Sequence, residues 1–87
     1  MEFYIDKQCL DYAINRVKKN KHSKNGYLIF VKVDNKDYLI DGYHRLADHF
    51  IYDIPLEMLP VKYKTIKTKI HKKRFINFEE YKHSNFA

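Results

Sequence analysis

One cysteine, two glycines, two prolines and no tryptophan occur in 87 residues. The lone thiol, Cys9, can neither close a disulfide within the chain nor build a cysteine-based zinc site. Stapled secreted scaffolds and zinc ribbons are thereby excluded, and a reducing cytoplasm fits best. No apolar run approaches the roughly 20 residues of a membrane span. Glu2 and Asp6 also make the N-terminus a poor secretion signal, so a soluble cytoplasmic protein with no membrane partner is expected. Arginine is scarce, three against fourteen lysines, while Asn, Ile and Tyr are plentiful. AT-rich codons produce that bias, which points to a bacterial or phage genome.

Apolar residues make up 45% of the chain, and eight Tyr and six Phe supply much of their bulk. That suffices for one modest core, so residues 1–87 are read as a single domain. The net charge of +6 and the pI near 9.4 favour polyanionic partners: nucleic acid, a nucleotide, or an acidic protein surface. The charge is clustered. Residues 61–75 hold Lys62, Lys64, Lys67, Lys69, Lys72, Lys73 and Arg74 without an acid, and residues 16–24 add five more bases. With those twelve set aside, five bases face eleven acids, a balance of −6. Tyr63 and Phe75 are interleaved with the first cluster and could stack on bases while the lysines and Arg74 contact DNA or RNA phosphates. A lysine-protected edge strand gives the same pattern.

Leu10, Ala13, Ile14 and Val17 follow helical spacing, predicting a helix over about 6–19 with Asp6 as its N-cap and Cys9 on its buried face. Residues 20–26 read as a polar loop. Tyr27–Val33 and Tyr38–Ile40 read as a hairpin around the turn residues 34–37, with Asn35 left-handed. Tyr43 to about Tyr52 reads as a second helix facing the sheet through Leu46, Ala47 and Phe50, with His49 structural. Pro55 and Pro60 bracket a short turn. Alternation predicts a strand over 61–70, with a change of parity at Ile66 that marks a bulge, a bend or the strand's end. Asn77 caps a short C-terminal helix. These elements predict an α+β fold, a small, mixed, twisted sheet packed by two main helices.

The most informative stretch is Tyr38-Leu39-Ile40-Asp41-Gly42-Tyr43-His44-Arg45-Leu46-Ala47-Asp48. A strand, a glycine break and a helix with His and Arg in its first turn make an anion site, because the first helical N–H groups have no carbonyl partner and carry the positive dipole end. Gly42 lets backbone approach a phosphate, Arg45 supplies a fork to it, and His44 is a second donor. Asp41 could act as a base, hold Mg²⁺ or accept loop N–H bonds, and Tyr43 could stack on a base or lie over the loop. Asp48, four residues after His44, could orient the imidazole or form an exposed pair with it. Arg45 has an ion pair with Asp41 or Asp48 as its structural alternative, and Asp41, His44 and Asp48 together could hold a metal.

Leu39-Ile40-Asp41-Gly42-Tyr43-His44-Arg45-Leu46-Ala47 resembles the (I/L)DGxHRxxA motif of the ParB/sulfiredoxin superfamily, and the hairpin before it and the Pro60-Val61 strand after it follow that family's order over residues 27–66. The resemblance implies a ParB N-terminal-like domain holding a nucleotide, CTP or ATP, with Mg²⁺. Gly42, Tyr43, His44 and Arg45 would contact it, and Asp41 or His44 would manage metal or proton. Tyr43 stands where sulfiredoxin-like members carry their reactive Cys, so sulfinic acid reduction is not expected. His44-Arg45 replaces the Arg-Arg of partition proteins, whose helix-turn-helix and dimerisation regions do not fit in 87 residues. Two alternatives stand beside a nucleotide-binding domain acting with nucleic acid. One is a non-catalytic regulatory protein, phage-encoded, that attaches to nucleic acid or an acidic host protein. The other is a small-molecule kinase of the free-serine type, with Glu2, Asp6, Asp11 or Asp34 as its base.

Overall fold

The computed structural model describes residues 2–20, 26–66 and 69–86. Lys21 and Lys24 of the expected polar loop and Lys67 of the basic segment lie outside the described residues. The chain opens with a strand that periodicity does not reveal, β1 (Tyr4–Asp6), which runs directly into α1 (Lys7–Asn20). Asp6 is the cap: its Oδ1 accepts the amides of Gln8 at 3.1 Å and Cys9 at 3.3 Å, two of the donors that a helix start leaves without carbonyls. Leu10, Ala13, Ile14 and Val17 are buried as their spacing requires.

β2 (Leu28–Val33) and β3 (Lys36–Asp41) form the hairpin. Its turn is two residues, Asp34 and Asn35, at φ 52° and 64°. A turn with both central residues left-handed matches the right-handed twist of the strands. β3 therefore begins at Lys36, two residues before the expected Tyr38. α2 (Tyr43–Tyr52) buries Leu46 and Ala47, with Phe50 packed against the core, and a single 3-10 turn, Leu56–Met58, sits between the prolines.

The strand expected over 61–70 is only β4 (Val61–Tyr63). A 3-10 turn at Lys72–Arg74 then leads into β5 (Phe75–Asn77) and α3 (Phe78–Phe86), where Asn77 Oδ1 accepts the amides of Glu79 and Glu80 at 2.9 and 3.3 Å. The described strands form one mixed sheet in the order β4-β2-β3-β1-β5, with β1 parallel to β3, β2 parallel to β4, and antiparallel pairs elsewhere. This is a small α+β fold, as expected from the sequence.

The helices cover the face that carries Phe3, Ile5, Phe30 and Leu39. Phe78 of α3 stacks on Phe3 at 4.5 Å between centroids, and the Tyr81 hydroxyl donates to Asp11 Oδ1 of α1 at 2.6 Å. Because β4 and β5 lie at opposite edges, the chain between them must cross the sheet. Its described residues Ile66 and Ile70 border clefts that Val31, Val33 and Ile40 line from the face opposite the helices. β4 thus ends at Tyr63, before the parity change at Ile66 is reached.

Candidate phosphate site and basic surface

β1 and β3 are parallel neighbours, and each passes straight into a helix, so α1 and α2 begin side by side at one end of the sheet. The carboxyl ends of parallel strands are where open α/β sheets bind ligands. The two helix starts differ. Asp6 caps α1, whereas α2 starts from Gly42, at φ 91°, with no side-chain cap. The first α2 amide bonded one turn back is that of Leu46, to the Gly42 carbonyl at 3.1 Å. The amides of Tyr43, His44 and Arg45 precede it.

The motif residues take distinct positions. Asp41 is exposed, and its Oδ1 accepts the Gly42 amide at 2.7 Å, the loop-bonding alternative of its three. Gly42 meets protein: a Cβ there would collide with the Tyr27 carbonyl oxygen and stand 3.0 Å from the Leu28 Cα. Tyr43 turns inward. Its hydroxyl accepts the Asp6 amide at 2.8 Å and donates to the Leu39 carbonyl at 2.6 Å, tying β1, β3 and α2 together. His44 is exposed on the first turn of α2.

Arg45 is held back along its own helix, its Nη1 3.7 Å from Asp48 Oδ2. The Asp48 side chain is 0% exposed, and among the described residues neither of its oxygens has a hydrogen-bond partner, nor has the buried Arg45 Nε. Asp48 thus forms the ion pair expected as the structural alternative for Arg45, and its burial corrects the other expectation, that it is the partner of His44. Nor do Asp41, His44 and Asp48 form a metal site, since no cluster of three or more such ligands occurs among the described residues. His49 is structural: its Nδ1 lies 2.7 Å from the Ile54 carbonyl oxygen beyond the end of α2.

Beside the two helix starts lies a crevice of about 200 Å³, lined by Asp6, Cys9, Tyr43, Lys69, His71 and Arg74 among others. Tyr43 and the basic segment meet here. Arg74 reaches Asp6 Oδ2 through its Nε at 3.1 Å and donates from Nη2 to Gln8 Oε1 at 3.3 Å. Cys9 is only half-buried and opens onto the crevice, which corrects its expected place in the core. Its thiol is pushed up from the usual range by burial and by the Asp6 carboxylate, the reverse of what a reactive thiolate needs.

The other carboxylates considered as bases are engaged as well. Asp11 holds Lys7 and Tyr81, Asp34 holds Lys72 at 2.8 Å, and Glu2 accepts the Tyr4 hydroxyl at 3.5 Å.

The basic segment divides among several tasks. Lys62 sits 4.0 Å from the centroid of the Tyr27 ring, and Arg74 belongs to Asp6. Lys64, Lys69 and Lys72 line a second, larger cleft on the sheet face opposite the helices, and Lys73 is exposed. Lys32 of β2, which no sequence pattern singles out, turns to the other face with Phe30, its ammonium 3.6 Å from Asp37 and 5.8 Å from the Tyr63 ring centroid. Comparison with protein-family models, curated proteins and solved structures finds no match to this chain.

Burial raises the pKa of Tyr43 above that of a free phenol, and burial together with the Asp11 bond raises that of Tyr81. A raised folded value leaves stability intact below the unfolded value near 10 and removes it as pH rises beyond that, because the unfolded chain then sheds protons that the fold retains. Alkaline titration followed at 295 nm should show tyrosinate signal from these two rings only as circular dichroism reports unfolding. Early ionisation of both in the intact fold would contradict the inward placement of their hydroxyls.

Proposed function

We propose that this domain binds a phosphate group, carried by a nucleotide such as CTP or ATP, at the start of α2. One observation carries the reading: α2 begins on a left-handed glycine with no side-chain cap, at the carboxyl end of a parallel strand pair. Unpaired helix-start amides and the positive dipole end supply donors aimed along the helix axis. His44 adds a donor from the exposed side of the first turn, and with Arg74 paired to Asp6 it is Lys69 that gives the neighbouring crevice its positive charge. The resemblance of residues 39–47 to the ParB/sulfiredoxin motif points the same way.

Mg²⁺ fits through Asp41, whose carboxylate is exposed and uses one oxygen on Gly42, leaving the other for a cation shared with the phosphates. When bound, the ion would neutralise phosphate charge. The chain's own residues position and bind. Arg45 can serve the ligand only in competition with Asp48, so its contribution is coupled to that buried carboxylate. With Asp6, Asp11 and Asp34 all engaged, binding rather than phosphoryl transfer is the function the geometry favours.

The test is a thermal-shift panel with CTP, ATP, ADP and GTP, each with and without Mg²⁺, on wild type and His44→Ala. A nucleotide at 100 times its dissociation constant adds about 2.7 kcal/mol, which raises the melting temperature of a domain this size by on the order of 10 °C. His44→Ala should shrink that shift without lowering the melting temperature of the free protein. No shift with any nucleotide overturns the reading.

A further inference from the structure

β4 (Val61–Tyr63) is the outermost strand on its side of the sheet among the described residues, and all three of its residues are exposed. Its inner side is bonded to β2: the Leu28 amide donates to the Pro60 carbonyl and the Lys64 amide to the Phe30 carbonyl, each at 2.8 Å. In a parallel ladder successive residues turn their N–H and C=O alternately to either side. Pro60, Lys62 and Lys64 therefore face β2, while Val61 and Tyr63 turn their backbone groups away from the sheet. Two amides and two carbonyls in a row are thus presented to any further extended chain.

The side chains sort by face along the same edge. Val61 and Tyr63 share the face of Leu28 and Phe30 and are 40% and 52% exposed, and Met58 just before them is 69% exposed. Tyr63 is fixed there, its ring 5.9 Å from that of Phe30 and its hydroxyl donating to Asp37 Oδ2 at 2.9 Å. Lys62, by its register with Ile29, and Lys64, by alternation, belong to the other face. Neither has an ion pair among the described residues, and no acid occurs from Met58 to Phe78.

We infer that the free edge of β4 captures an extended protein segment in which acidic and apolar residues alternate. Backbone pairing with Val61 and Tyr63 supplies the bonds. A cross-strand neighbour of either residue falls on their face, where an apolar side chain covers them, and a neighbour of Lys62 or Lys64 falls on the other, where a carboxylate meets an ammonium. A second copy of this chain fits poorly. Antiparallel pairing of two β4 strands about Lys62 sets that lysine against itself, and pairing about Tyr63 sets Lys62 against Lys64, like charges placed directly opposite. A nucleic acid would meet the lysines but offers no ladder of amides and carbonyls to the strand. β2 stands between β4 and the β1–β3 pair where α2 begins, so the inference is independent of the phosphate reading.

Fluorescence anisotropy of a labelled eight-residue peptide alternating Glu and Val, titrated with the full chain to 0.5 mM, tests it. Lys62→Glu with Lys64→Glu should weaken binding by about tenfold or more, and that variant should instead take up the peptide in which Lys replaces Glu. Lys18→Glu with Lys19→Glu, an equal change of charge on exposed α1 positions, should cost less than about threefold. Methylating the amide nitrogen of every second peptide residue removes either the donors facing β4 or those facing solvent. One phase should abolish binding and the other leave it within about threefold. The proposal is overturned by no binding, by equal losses from the two lysine pairs, by equal effects of the two methylation phases, or by equal binding of a peptide with the same residues in two blocks. A dimer of the free chain that the peptide dissociates assigns the edge to a second copy and overturns it as well. Circular dichroism of each variant separates lost binding from lost fold.

Discussion

Gly42→Ala should lose about 3–5 kcal/mol of folding stability, from a left-handed φ that alanine resists and a side chain forced into packed backbone. A domain of this size has roughly 5–10 kcal/mol in total, so a urea titration should show the midpoint falling by a third or more at unchanged slope. The obstacle is the carbonyl of Tyr27, where the chain enters β2, and peptide groups within a sheet cannot swing aside as a flexible side chain can. A loss below about 1 kcal/mol would mean that the Tyr27–Leu28 segment yields easily. The glycine would then be required by something outside the protein, such as a phosphate. The expected large loss assigns Gly42 to the joint between β3, β2 and α2, and leaves ligand contact at this loop to the α2 amides and His44.

Arg45→Met should lose about 3 kcal/mol, because removing one member of a buried ion pair strands the other. Asp48 is fully buried, and Arg45, 19% exposed at its side chain, is the cation within ion-pair distance. Adding Asp48→Leu should recover most of the loss, since an apolar pair of similar volume carries no desolvation penalty. If the single variant is neutral, Asp48 must already be compensated without Arg45. If the double variant remains as unstable as the single, the fault lies in packing rather than in charge. This pair also decides how the nucleotide panel must be built. A bare Arg45→Ala would change ligand binding and stability together, whereas the Met/Leu double variant removes the guanidinium from a fold that keeps its stability.

The hairpin, α1 and α2 were legible in the sequence because each is long enough for its periodicity to show, and Asp6 and Asn77 announced their helices through capping chemistry. β1 and β5 were not. Three residues carry no period, and Tyr4–Asp6 and Phe75–Asn77 become strands only by pairing with each other and, for β1, with β3. Of the site, the strand-glycine-helix joint was readable from residues 39–47, but the directions of its side chains were not. Whether Arg45 points to a ligand or to Asp48 depends on how deeply α2 sits against α1, a tertiary fact. An acidic residue that follows a buried Ala by one position gives no hint of its own burial.

That same strand order governs when the protein can be completed as it leaves the ribosome. β1 is made before the other strands of the sheet, yet it lies between β3 and β5, and its second neighbour is not synthesised until residue 77. Until then Phe3 lacks the Phe78 ring that stacks on it, and the Tyr4–Asp6 edge is unpaired on one side. Local pairings form fast and distant ones slowly, so α1, the β2–β3 hairpin and α2 can assemble first while the nascent sheet waits open at that edge.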